Sequence, residues 1–150
     1  MLALTIAKSQ DTSKVNAIDK LIQSRKKLVT LILTESYMES TPGMHSTTLD
    51  TITMEYKFTA NKSIESIIKK TYSGKEYYAD TFYYEKGRLI KALTIYGSWV
   101  QFAYYEGDDS FYSGASDGKP NPNIKSNLAR SKSLLKNIKK KLKTTTYKVN

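Results

Sequence analysis

From Ser13 onward the apolar residues Val15, Ile18, Leu21 and Ile22 recur every three or four positions, continuing to Leu28 or Val29. Thr12 or Ser13 stands where an N-cap is needed. This spacing predicts a helix over residues 13–27. In the next stretch, "LVTLILTESYM", Val, Ile and Thr crowd together and a helical stripe would have to pass through Ser36, so a strand is favoured over a continued helix. Pro42 and Gly43 in "STPGMHST" then break the chain.

Beyond that break the punctuation becomes regular. The strand-like runs "TITMEYKFT", "SIESIIKKTY", "EYYADTFYYE", "RLIKALTIY" and "WVQFAYYE" are separated by short turn signals at Asn61-Lys62, Ser73-Gly74, Lys86-Gly87 and Gly97-Ser98, with Gly107-Asp108 after the last. "SIESIIKK" also fits a short helix, but its length between two turns suits a strand better. Gly97 at the first loop position suits a type II′ turn, which needs positive φ there. A weak internal repeat joins "YKFTANKSIESI" to "YYEKGRLIKA": aromatics at a strand end, a turn with Lys or Arg, then an apolar return strand. The stretch "GDDSFYSGASDGKPNPN" reads as loop by composition. Asn121 as cap and Pro122 as first helical residue open a second helix over 122–143, with Ile124, Leu128, Leu135, Ile138 and Leu142 along one line. The expected fold is one α+β domain over 13–143. It comprises an N-terminal helix, an antiparallel meander of five or six strands and a basic amphipathic C-terminal helix, with a tail at 144–150.

Counting outward from the two-residue loops at Lys86-Gly87 and Gly97-Ser98 assigns the strand residues to faces. One face takes Tyr78, Phe82, Tyr84, Leu89, Leu93, Ile95, Val100, Phe102 and Tyr104, and is the better core. The other takes Tyr77, Tyr83, Tyr96, Trp99 and Tyr105 around small residues. These five are expected to form one patch, either an aromatic-walled binding trough or a bed on which a helix approaches the sheet closely.

Charge changes this picture in one place. The formal net charge is +10, yet residues 1–118 hold equal numbers of basic and acidic residues, and the excess lies entirely in residues 119–150. A uniformly basic domain points to nucleic acid; a neutral body with a basic end points to an appended electrostatic element. In "KNIKKKLK" the residues Lys136, Lys139, Lys140, Lys141 and Lys143 form either a solvated helix face or a site for anionic lipid, polysaccharide or an acidic protein. The chain has no cysteine, which removes disulfides, thiolate nucleophiles and Cys-ligated metal sites together.

Catalytic signals are absent. His45, the single histidine, sits in a loop without announced partners. Glu106, Asp108, Asp109 and Asp117 lack the spacing of a calcium loop, and the glycines fall at turns and not in a phosphate-binding motif. No cofactor or metal is expected, and no segment reaches the apolar length of a membrane span. The start, "MLALTIAKSQD", passes from apolar to polar like the end of a secretory signal, so residues 1–12 are read as a possible signal remnant or a disordered N-terminus.

The combination of "IAKSQD", a leading helix and strands such as "YYEKGRLIKA" resembles the small exported bacterial β-meander proteins of unknown function, over residues 50–114. The resemblance implies a secreted or periplasmic location and transfers no catalytic residue. The expected function is therefore non-enzymatic binding, through the aromatic face or the basic helix, of a protein or an anionic envelope surface. The alternative is a cytoplasmic protein that binds nucleic acid or an acidic partner through the basic helix.

Overall fold

The computed structural model describes residues 2–40 and 47–144, with side chains described over 12–34 and 50–143. In chain order the elements are α1 (Leu2–Ser24), β1 (Val29–Ser40), β2 (Thr47–Phe58), β3 (Ile64–Ser73), β4 (Glu76–Glu85), β5 (Arg88–Tyr96), β6 (Trp99–Glu106), β7 (Asp109–Ala115) and α2 (Ile124–Thr144). The strands form one antiparallel sheet in the order of the chain, with α1 on one face and α2 on the other. This is the expected α+β meander, extended to seven strands.

The additional strand comes from the stretch read as loop. Phe111 and Tyr112 supply what its small polar neighbours lack: the Tyr112 ring stacks on Phe102 at 5.5 Å between centroids, and Phe111 lies 6.4 Å from Tyr104. Gly114 permits the pairing, because a Cβ there would sit 3.1 Å from the Phe102 ring.

Element ends also differ from expectation. α1 starts at Leu2, so Thr12 and Ser13 lie inside it and residues 2–12 are helical in continuity with the rest. It stops three residues earlier than expected, where Ser24 Oγ donates back to Leu21 O at 2.8 Å and Lys27 adopts φ 58°, turning the chain into β1. The β3–β4 turn is Gly74-Lys75, since Ser73 still pairs with Glu76, and the β2–β3 loop spans Thr59–Ser63. At α2 the start moves two residues on. Asn121 Oδ1 accepts from Asn123 N–H at 2.8 Å, and Asn121 Nδ2 donates to Phe102 O at 2.9 Å, tying the helix start to β6.

The largest difference is in register. Tyr83 pairs with Lys91 but Tyr84 pairs with Leu89, leaving Ile90 as an extra residue, a β-bulge. Two further bulges leave Glu65 extra between β2 and β3 and Phe111 extra between β6 and β7. All three fall on the return strand just after a turn, at the same end of the sheet. Each bulge inverts the inside-outside parity of the residues beyond it. Tyr78, Asp80, Phe82 and Tyr84 therefore share a face with Thr94, Tyr96, Trp99, Gln101 and Tyr105, while Leu93, Ile95, Val100, Phe102 and Tyr104 cross to the opposite face with Tyr77 and Tyr83.

The core lies between the sheet and α2. Leu135, Ile138 and Leu142 bury against Tyr56, Phe58, Ile67, Phe82 and Tyr84. Each large side chain so buried contributes about 1.5–3 kcal/mol relative to exposure. Tyr84 Oη donates to Ser131 O and Tyr105 Oη to Ile124 O, both at 2.8 Å, so the two rings enter the core with their polar ends satisfied. Burial raises the Tyr84 hydroxyl far above its usual range and pushes Tyr105 up to about 12.

Candidate functional site

The opposite face is built differently. From residue 12 to its end α1 has no fully buried residue, and it meets the sheet through charged groups at three points. Just past its end, Arg25 pairs with the bulged Glu65 at 2.7 Å and donates to the backbone oxygens of Glu65 and Tyr84. Six residues earlier, Asp19 accepts from Lys91 Nζ at 2.7 Å and from Tyr104 Oη at 3.0 Å. Burial acts to lower the Lys91 pKa, but its hydrogen bonds to Asp19 and Tyr104 outweigh that and hold the ammonium above its ordinary value. Further back, Lys14 pairs with Glu106 at 2.7 Å and sits 5.4 Å from the Phe111 ring centre.

Between these struts the sheet itself opens. The ladder joining β5 to β6 ends at Lys91–Tyr104, so Arg88–Ile90 and Tyr105–Glu106 continue as strands paired only to their outer neighbours. The β4–β5 and β6–β7 hairpins splay apart at the level of their bulges. A cavity of about 680 Å³ occupies the α1 side of the gap. Its apolar wall is Ala17 and Ile18 of α1 with Leu89, Ile90 and Phe111 of the hairpins, and the exposed Lys14, Glu85, Lys86, Arg88 and Glu106 stand at its mouth. A second cavity of about 380 Å³ lies on the α2 side and shares Arg88, Leu89 and Gly107 with the first. The local sequence explains the mouth: Lys86 at φ 50° and Gly87 at φ 78° form a turn with two positive φ values, the hairpin type whose twist matches the strands.

The five aromatics expected to form one patch are divided by the Ile90 bulge. Tyr77 and Tyr83 lie on the α1 face, Tyr77 exposed and 4.8 Å from the Tyr72 ring. Tyr96 and Trp99 lie on the α2 face, and Tyr105 is buried there. Of the five only Tyr105 lines the cavity. Lys136, Lys139, Lys140, Lys141 and Lys143 are exposed along the C-terminal half of α2, as their spacing implies, and Lys140 and Lys141 border a separate groove between α2 and β1–β3.

Ile90, Phe111 and Arg88 were not singled out by sequence reasoning. The available signal was the repeated hairpin: "YYEKG" and "YYEGD" place two aromatics and Glu before a turn, and in both the second Tyr pairs just before the bulge. His45 lies outside the described residues. Among the described residues no three acidic or histidine side chains gather as a metal site, and Asp108 is occupied by Lys132 at 3.0 Å. Among them, too, no helix is long and apolar enough to cross a membrane. Comparison of the chain with protein-family models, with curated proteins and with solved structures finds no match.

Proposed function

We propose that this is a non-enzymatic binding protein that holds a small amphiphilic anion, an apolar body with one acidic group, in the cavity beneath α1. The observation that carries this reading is that two bulge residues from different hairpins, Ile90 and Phe111, both line one cavity with Lys86 and Arg88 at its mouth. Bulges re-aim side chains, and two that converge make a wall that flat strands would not. The volume of about 680 Å³ is in the range of small-molecule sites, about 300–1,000 Å³, which combine apolar walls with a few placed polar groups. Neither Lys86 nor Arg88 is held in an ion pair among the described residues, so an incoming anion breaks no existing pair. Glu85 and Glu106 also border the cavity, but both are solvent-exposed and Glu106 is engaged by Lys14, which favours binding over acid–base chemistry.

Titration with anilinonaphthalene sulfonate, an aromatic anion, tests the reading. Arg88→Gln combined with Lys86→Gln is expected to weaken binding about tenfold, the loss of one charge-assisted hydrogen bond, and Phe111→Ala to weaken it with the charges in place. Binding unchanged in both variants, with thermal melts like the parent's, would remove the cavity as the site. Export is part of the proposal on the apolar-to-polar start and the resemblance to exported proteins alone, and fractionation of the producing cell checks it.

A further inference from the structure

The lysine-rich half of α2 plays no part in that cavity and lies on the other face of the sheet. Over Ile124–Thr144 the helix carries basic residues and no acidic one. Two of these in its first half are engaged: Arg130 pairs with Asp80 of β4 at 2.6 Å and Lys132 with Asp108 of the β6–β7 turn at 3.0 Å. Beyond them, Lys136, Lys139, Lys140 and Lys143 have no ion pair among the described residues.

Charge alone would describe a solvated helix. Here an apolar groove of about 580 Å³ opens beside the charges, walled by Leu33, Ile52 and Met54 of the sheet and Leu134 of the helix. Its rim carries Lys69 from β3 facing Lys140 and Lys141 from α2, and no carboxylate lines it. Lys69 stands on the α2 face because it pairs in register with Asp80 and Met54.

We propose that this groove and the lysines around it dock the protein on an anionic phospholipid surface, the lysines meeting phosphates and one acyl chain entering the groove. The charge complementarity selects the occupant. A neutral apolar partner would leave the lysine rim unmatched, and a nucleic acid would meet the lysines but leave the apolar walls bare. An anionic lipid supplies both parts, and juxtaposed lysines near such a surface each strengthen binding.

Sedimentation of the full chain with vesicles is the test. Vesicles of phosphatidylcholine with phosphatidylglycerol are expected to bind, more weakly as salt rises, and phosphatidylcholine alone not to bind. Lys69→Gln and Lys140→Gln are each expected to weaken binding about fivefold. Lys125→Gln, an equal change of net charge in the first turn of α2, leaves binding unchanged, and Leu33→Asn weakens it with every lysine present. Equal binding to neutral vesicles, no binding to either kind, a loss from Lys125→Gln as large as from Lys140→Gln, or tighter binding to single-stranded DNA would each overturn the proposal. Thermal melts of all four variants confirm that folding is retained.

Discussion

α2 reaches the sheet with Leu135, Ile138 and Leu142, all buried, whereas α1 reaches it with Lys14, Asp19 and, just past its end, Arg25. Apolar contact has no preferred direction and closes whatever gap it can, so the α2 face is packed where Ile138 and Phe82 meet the core. Ion pairs hold fixed points and leave the space between them to be filled by something else or by water. The larger cavity at the splayed hairpins accordingly lies on α1's side of the sheet, and the extra residues of all three bulges serve that side. Glu65 receives Arg25, Phe111 lies near Lys14, and Ile90 faces Ala17 and Ile18 across the cavity.

If that contrast is right, equal truncations on the two helices have unequal effects. Ile138→Ala should cost about 3–4 kcal/mol in chemical denaturation, the range for a fully buried aliphatic, while Ile18→Ala, on the cavity wall, should cost less than about 1 kcal/mol. Similar losses would break the comparison. The next effect belongs to the strut that is most enclosed. Arg25→Ala leaves the Glu65 carboxylate without its ion pair and removes a donor from two backbone oxygens, and should cost about 3 kcal/mol. Arg25→Lys should recover only part of this, because one ammonium cannot reproduce the guanidinium fork.

The smallest of the three effects is alkaline. Tyr105 is raised from its usual 10.0 to about 12 by burial, and Tyr84 and Lys91 are raised as well. A raised folded-state pKa means that the native state holds the proton more tightly, so the stabilisation is complete below pH 10 and is lost as pH climbs toward 12. A loss of about 2 kcal/mol across that window is expected from Tyr105 alone. Tyr105→Phe should flatten part of the profile, and a profile flat in the parent would contradict the packed environment assigned to the α2 face.

The sequence made the hairpins legible because turn chemistry is local: Lys86-Gly87 and Gly97-Ser98 announce themselves, and the stripe from Ile124 to Leu142 predicts the helix that covers the core. The bulges were not legible, since Ile90 and Lys91 are equally good strand residues and nothing at their position shows that one of them goes unpaired. A two-residue loop fixes register only as far as the first irregularity, and this one lies on the return strand just beyond Leu89. Parity counted past it puts Phe102 and Tyr104 on one face with Phe82 and Tyr84, and Tyr105 on the other; in the pairing Phe102 and Tyr104 face α1, where Tyr104 is buried, and Tyr105 joins Phe82 and Tyr84 on the α2 face. β7 was missed for a different reason. Its serines and Gly114 are poor strand formers, and the rings that hold it to β6 act across strands and not along the chain.

The strand order has a consequence for how the chain reaches this structure. Every strand pairs with its neighbour in sequence, and the turns at Gly74-Lys75, Lys86-Gly87, Gly97-Ser98 and Gly107-Asp108 each close over two residues. Short loops lose little entropy on closing, so hairpins can form early and add one to the next without waiting for distant segments. The helices are the exception: Lys14 meets Glu106 across 92 positions and Tyr84 meets Ser131 across 47. A sheet assembled from local pairings therefore presents Phe58, Phe82 and Tyr84 to water until α2 arrives, and the interval before that arrival is when the chain is most exposed to self-association.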